Sequence, residues 1–131
     1  EVAESAGDEA PLAYFPGQTT ITAIIAKKRM EHELDEMRRR NWIGNDKYHH
    51  CKANCEAARL GPVGLAVAIF GSWYREAYQG SADIAKGRYN RGDAAADEAA
   101  NEQGRRGAIE QPNKSCQDVC ANLAPPGYLG N

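Results

Sequence analysis

The 131-residue sequence has no long apolar segment and little net charge. Its longest apolar stretch, Leu65–Phe70, is far shorter than the roughly 20 residues that span a bilayer. Lys and Arg total 16 and Asp and Glu total 18, so the net charge is −2. Proteins that bind duplex nucleic acid usually have a clear basic excess. We therefore expect neither a membrane-spanning helix nor a nucleic-acid partner.

The common signatures of catalysis and targeting are also missing. The sequence contains no P-loop, no GxGxxG, no H-E-x-x-H and no Ser-His-Asp motif, so we expect no cofactor. It begins without Met or a secretory leader, which predicts a processed product or an excised part of a longer protein. The length suits one domain, expected as a monomer. We assign residues 1–18 to an acidic arm, 19–124 to a helical domain and 125–131 to an irregular tail.

Four cysteines form two identical C-x3-C spacings, Cys51 to Cys55 and Cys116 to Cys120. Residues four apart share one face of a helix, so two antiparallel helices would pair Cys51 with Cys120 and Cys55 with Cys116. Two alternatives remain: a zinc site that uses the four thiols or three of them with His50, and buried free thiols. Because structural zinc prefers C-x2-C on a turn, disulfides are favoured and no metal is expected. Disulfides indicate an oxidising compartment and hence secretion.

Apolar residues that recur every three or four positions predict an all-α fold, a compact bundle of five to six helices stapled by two disulfides. The helix that begins at Pro62 is apolar on nearly every side, so we expect it to be the central one. Gly104 and Gly107 are expected to end the fourth helix. The predicted helices cover 20–40, 46–60, 62–79, 93–104 and 113–122.

Glu76 is the strongest candidate for a catalytic group. It lies at the end of the most apolar helix, and aromatic neighbours that remove water would raise its pKa and suit it to general-acid catalysis. Asp83 is a candidate partner, since two carboxylates divide acid and base roles in glycoside hydrolysis. An exposed Glu76 paired with Arg75 or Lys86 is the alternative. The expected substrate-binding residues beside it are Trp73, Tyr74, Arg75 and Tyr78.

A second group of polar residues shares helix faces. Asp97 and Asn101 lie four apart and would point into a polar site, Asp97 as a catalytic group and Asn101 as a substrate contact, or else form a solvated face. His50 is a further catalytic candidate that Asp46 could orient, although a helical histidine is more often structural. His49 and His32 are expected to be exposed. The run Arg38–Arg40 is expected to be a solvated helix end, with an anion or partner contact as the alternative.

The order of these motifs resembles the C-terminal toxin domains of RHS-repeat and related bacterial polymorphic toxins. Such domains have a His-Cys-x3-Cys helix, a Gly/Ala-rich helix ending in Lys-Glu or Arg-Glu, an Asp-x-x-Ala-Asn-x-x-Gly segment and a final Cys pair. The resemblance covers about residues 46–120. The matching residues are His50, Cys51, Cys55, Arg75, Glu76, Asp97, Ala100, Asn101, Gly104, Cys116 and Cys120.

The resemblance implies a secreted antibacterial effector that a cognate immunity protein neutralises. Together with the cysteines and the charge, it favours an enzyme that acts in the periplasm of a target bacterium and hydrolyses the glycan strands of peptidoglycan. Glu76 would be the general acid. The alternatives are a non-catalytic binding or inhibitory module, a phospholipase and a membrane-disrupting toxin that uses Leu65–Phe70.

Overall fold

The computed structural model consists of five α-helices in the residues that it describes, which are 16–87 and 91–130. The side chains of residues 16 and 73–84 lie outside this description. The helices are α1 (Pro16–Arg40), α2 (Asp46–Ala58), α3 (Pro62–Ala85), α4 (Arg91–Glu110) and α5 (Cys116–Cys120), and a 3₁₀ turn follows at Ala121–Leu123. None of the helices in the described ranges is long and apolar enough to cross a membrane. The all-α prediction is confirmed.

The predicted helices are correct in number and order, but several ends differ. The first turn of α1 comes from the last three residues of the predicted arm, while residues 1–15 lie outside the described part. Proline is well tolerated at the first position of a helix, and α1 accordingly begins at Pro16. The prediction that glycines end α4 is wrong, since the helix continues through Gly104 and Gly107 to Glu110.

These two glycines are explained by close helix packing. A Cβ atom on Gly104 would collide with the carbonyl oxygen of Cys51 on α2, and one on Gly107 would collide with the side chain of Val119 on α5. Gly104 therefore allows α4 to contact α2 backbone to backbone, and Gly107 leaves room for the side chain of Val119 on α5. The stability cost of glycine inside a helix is offset by this close approach.

The central helix is α2, not α3 as the apolar composition predicted. Helices α1, α3 and α4 all pack against α2. By contrast, α3 leaves Ile69 and Phe70 exposed. The alanine and cysteine side chains of α2 let its neighbours approach closely from several directions. The buried residues of α2 are Tyr48, His49, His50, Cys51, Ala53, Asn54, Cys55, Ala57 and Ala58.

Two disulfides join α2 to α5 in the predicted crossed arrangement. Cys51 bonds to Cys120 and Cys55 to Cys116, with Cα–Cα distances of 5.8 Å and 5.7 Å. All four cysteines are bonded, so the zinc and free-thiol alternatives are wrong. Ser115 caps the start of α5, because its hydroxyl oxygen accepts a hydrogen bond of 3.0 Å from the Asp118 amide. The cap and the disulfides hold this five-residue helix against α2.

Candidate functional site

A groove of about 570 Å³ opens between α1 and α3, with α2 forming its floor. Its volume is in the range of small-molecule sites, which are about 300–1,000 Å³. Large apolar side chains form the walls, and polar side chains are confined to the floor and one edge. The apolar wall residues are Met30 and Leu34 of α1 and Val63, Val67 and Phe70 of α3.

The polar floor of the groove is built around Asn54 of α2. Its side-chain amide donates hydrogen bonds to Asn101 on α4 and to the His50 carbonyl, at 3.0 Å and 2.9 Å. Its side-chain oxygen accepts from Ser72 on α3 and from Arg105 on α4, at 3.0 Å and 2.9 Å. Because these buried groups satisfy one another, the floor is polar without carrying an isolated charge.

The apolar surface of the groove continues onto the outside of the protein. Phe70 is 71% exposed although it forms part of the wall. On α1, the exposed Ile24 lies three residues before Lys27, which lines the groove, so both occupy the same side of the helix. Lys27 and Glu31 form an exposed ion pair of 2.6 Å at the edge. Exposed ion pairs of this kind stabilise little and are easily displaced.

A second buried polar cluster joins α1, α2 and the tail. Glu33 and His49 are 2% and 4% exposed, and the Glu33 carboxylate lies 2.9 Å from Nδ1 of His49. Nε2 of the same ring lies 2.6 Å from the hydroxyl of Tyr128, which also accepts a hydrogen bond of 3.1 Å from Asn45. Lys52 donates to the other Glu33 oxygen at 2.7 Å. The tail is therefore anchored by a continuous hydrogen-bonded chain.

The ionisation of Glu33 depends on these partners. Burial alone would favour the neutral acid, but the hydrogen bonds from His49 and Lys52 outweigh it and lower the pKa of Glu33 to about 2. The prediction that His49 is exposed is wrong, because α1 and the tail cover the side of α2 that carries it. His32 is exposed as predicted.

The arginine run is divided between two roles. Arg38 and Arg39 are exposed and pair with Asp35 and Glu36 within the same helix, as expected for a solvated helix end. Arg40 instead stacks on the ring of Tyr128, with its guanidinium carbon 3.8 Å from the ring centroid. It also donates a hydrogen bond of 3.2 Å to the Tyr128 carbonyl.

Three carboxylates converge at the N-terminal end of α2, which begins at Asp46. Asp46, Asp93 and Asp97 place oxygens within 4.8 Å of one another, a spacing that suits a metal ion. The ammonium group of Lys47 lies among them, however, at 2.8 Å, 2.9 Å and 2.7 Å. Burial opposes the charged lysine, yet these three partners raise the pKa of Lys47 above its ordinary value. Lys47 thus occupies the position that a cation would take.

The predicted catalytic-site residues whose side chains the structure describes lie in two places. His50 and Asn101 both line the groove, and Asn101 is buried as the inward-facing alternative required. Asp97 pairs with Lys47 and does not line the groove. The remaining predicted residues have side chains outside the described part of the chain; they are Trp73, Tyr74, Arg75, Glu76, Tyr78 and Asp83.

The arrangement defines a class of protein, a disulfide-stapled helical bundle with an apolar groove. The model of the family described as serum amyloid A protein matches residues 18–119. Among curated relatives, serum amyloid A protein of Equus caballus is 44% identical over 87 residues, 64% of this chain and 77% of its own length. That of Ovis aries is 39% identical over 109 residues, 80% and 88%. Serum amyloid A-1 of Homo sapiens is 38% identical over 93 residues, 70% and 69%. The chain belongs to the serum amyloid A family.

Membership in this family corrects the functional predictions. The predicted resemblance to RHS toxins is wrong, and with it the prediction of an immunity-protein partner. The prediction of a peptidoglycan hydrolase with Glu76 as general acid is also wrong. The same holds for the alternatives of a phospholipase and a membrane-disrupting toxin. Serum amyloid A proteins are secreted and non-enzymatic. Secretion is therefore confirmed, while nothing supports delivery to a bacterial periplasm.

Several of the residues that carried the misleading resemblance serve packing. Cys51 and Cys55 form the disulfides, Asn101 completes the floor network, and Gly104 permits the close contact of α4 with α2. Stapled helices in unrelated proteins need the same residue types at the same spacing. Such a pattern therefore indicates architecture and carries no information on chemistry.

Proposed function

We propose that this protein is a secreted lipid-binding protein that takes an acyl chain into the groove between α1 and α3. The observation that carries the proposal is the open apolar wall, where Phe70 remains 71% exposed beside Val67 and Met30. Burying apolar surface stabilises a complex by roughly 25 cal/mol per Å². Such exposed apolar surface next to a cavity is typical of a binding site.

The distribution of polarity indicates how a lipid would lie in the groove. Its apolar body would contact the walls, and its polar end would reach the amide and hydroxyl groups of the floor at Asn54, Ser72 and Asn101. The exposed Ile21 and Ile24 extend the apolar surface of α1 beyond the groove and could cover further parts of the chain. A site of this type favours long, flexible apolar molecules over sugars or charged metabolites.

Titration with parinaric acid, a fluorescent polyene fatty acid, tests this proposal directly. Phe70→Glu places a charge on the groove wall and should weaken binding at least about tenfold, because losing the burial of one large apolar side chain costs about 1.5–3 kcal/mol. The variant should fold normally, since Phe70 is mostly exposed in the free protein.

Ile109→Glu provides the matched control. Ile109 is 61% exposed on α4 and does not line the groove, so this variant makes the same chemical change elsewhere. It should bind parinaric acid like the parent. A parent protein that fails to bind the probe, or equal losses in both variants, would contradict the proposed groove.

A further inference from the structure

One N-x-Ser/Thr sequence occurs in the chain, Asn113-Lys114-Ser115. This tripeptide is the acceptor for N-linked glycosylation when the middle residue is not proline. The modification is confined to proteins that enter the secretory pathway, which holds for this family. The tripeptide alone is a weak signal, so its structural setting decides whether it can serve as an acceptor.

The tripeptide lies in an exposed turn between α4 and α5. Asn113, Lys114 and Ser115 are all exposed. The Lys114 amide donates a hydrogen bond of 3.0 Å to the Gln111 carbonyl, which places Pro112 and Asn113 at the two central positions of the turn. Within residues 16–87 and 91–130, the side chains of Asn113 and Lys114 form no hydrogen bond or ion pair. The amide of Asn113 is thus presented at the tip of a fixed turn.

The hydroxyl of Ser115 can cap α5 and still donate the hydrogen bond that recognition of an acceptor site needs. Its oxygen accepts the amide hydrogen of Asp118 as the cap of α5. A serine hydroxyl has one hydrogen to donate and two lone pairs, so capping uses one lone pair and leaves the hydrogen available. Capping and recognition by a glycosyl transferase are therefore compatible at this residue.

We propose that Asn113 carries an N-linked glycan. The donor class is an oligosaccharide joined to a lipid through pyrophosphate. The side-chain nitrogen of Asn113 bonds to the anomeric carbon of the first N-acetylhexosamine, and the bond from that carbon to the pyrophosphate oxygen breaks. The lipid pyrophosphate leaves, one amide proton passes to a basic group of the transferase, and no atom changes its oxidation state.

The glycan would stand clear of the groove and of the tail anchor. No residue of the turn or of α5 lines the groove. Arg59, at the end of α2, donates a hydrogen bond of 2.9 Å to the Gln111 carbonyl, so the turn is held at the end of the bundle where α2 leads into α3. A bulky sugar at this end leaves the α1–α3 face open to a ligand.

Secretion of the full chain from a cultured animal cell tests the proposal. The secreted protein is digested with peptide N-glycosidase in ¹⁸O-labelled water, and its peptides are analysed by mass spectrometry. Most molecules should lose mass on digestion, and Asn113 should be recovered as ¹⁸O-labelled Asp. Asn113→Gln and Ser115→Ala should each abolish this shift.

Two further variants separate glycosylation from folding. Ser115→Thr keeps both the acceptor tripeptide and the helix cap and should keep the glycan, and Asn122→Gln changes an exposed asparagine outside any such tripeptide and should keep it too. Peptide mapping should find Cys55 bonded to Cys116 in every secreted variant. The proposal is overturned if the secreted parent carries no sugar on Asn113 while a co-expressed reporter glycoprotein is modified, or if Asn113→Gln retains the mass shift.

Discussion

The two disulfides are nested, so their contributions to stability should not add. The outer bond, Cys51–Cys120, spans 69 residues, and the inner bond, Cys55–Cys116, spans 61. In the chain-entropy model, a loop of the outer size stabilises by about 4.4 kcal/mol when it is the first to close. Once it is closed, the inner bond closes a ring of only about ten residues and adds about 2.7 kcal/mol.

Removing either bond alone should therefore cost about 2.7 kcal/mol, because the remaining bond still closes the large loop. Removing both should cost about 7 kcal/mol, which exceeds the sum of the two single losses by about 1.5 kcal/mol. The variants are Cys51→Ala with Cys120→Ala, Cys55→Ala with Cys116→Ala, and all four together. Packing losses from the missing sulfur atoms occur in both the sum and the fourfold variant, so they cancel in the comparison.

Urea unfolding followed by far-UV circular dichroism measures these free energies. All four proteins are compared in one fixed concentration of trimethylamine oxide, because this osmolyte favours burial and gives the fourfold variant a native baseline. The slope of the unfolding free energy against urea concentration should also rise, because an unfolded chain without disulfide loops exposes more surface. Strictly additive losses would refute the entropic explanation and assign the disulfide effect to local packing.

Three further perturbations follow from the buried contacts. Acid should destabilise the protein by about 3 kcal/mol as the pH falls from 4.5 toward 2. The reason is that the pKa of Glu33 is lower in the folded than in the unfolded protein, so the ionised carboxylate stabilises the fold at a pH above its unfolded-state pKa. Glu33→Gln should flatten this pH dependence in unfolding titrations. Gly104→Ala should lower the melting temperature strongly because its Cβ meets the Cys51 carbonyl, whereas Gly17→Ala, with open space around it, should not; equal effects would contradict the close contact. Tyr128→Phe should cost about 1–3 kcal/mol, because it leaves buried hydrogen-bonding groups of the tail anchor without their hydroxyl partner, and unchanged urea unfolding would refute that anchor.

The part of the fold that could be predicted from the sequence depended on the spacing of residues within single helices. The i,i+4 cysteines define one face on each of two helices, and only an antiparallel crossed pairing matches both. Helix positions followed from apolar periodicity and from breaks such as Gly61-Pro62. The prediction that Gly104 and Gly107 end α4 was wrong, because a glycine that ends a helix and a glycine that lets a neighbouring helix approach cannot be distinguished in the sequence.

The candidate site depended on contacts that sequence order does not reveal. Asn101 is buried, as its inward-facing prediction required, but it accepts its hydrogen bond from Asn54, which lies 47 positions away. Asn54 in turn accepts a hydrogen bond from Ser72, 18 positions further along the chain. His49 carried no signal of burial, because its surroundings come from Glu33 on α1 and Tyr128 in the tail.

The sequence by itself therefore determined the helical class, the disulfide pairing and an oxidising location, since each depends on spacing within one helix or on composition. Only the tertiary structure decided that α2 is central, that Lys47 fills the acidic cluster and that α1 and α3 leave a groove between them. The physical reason is that periodicity shows which face of a helix is apolar but not which helix covers it. Burial, and with it every site, is set by that choice of neighbours.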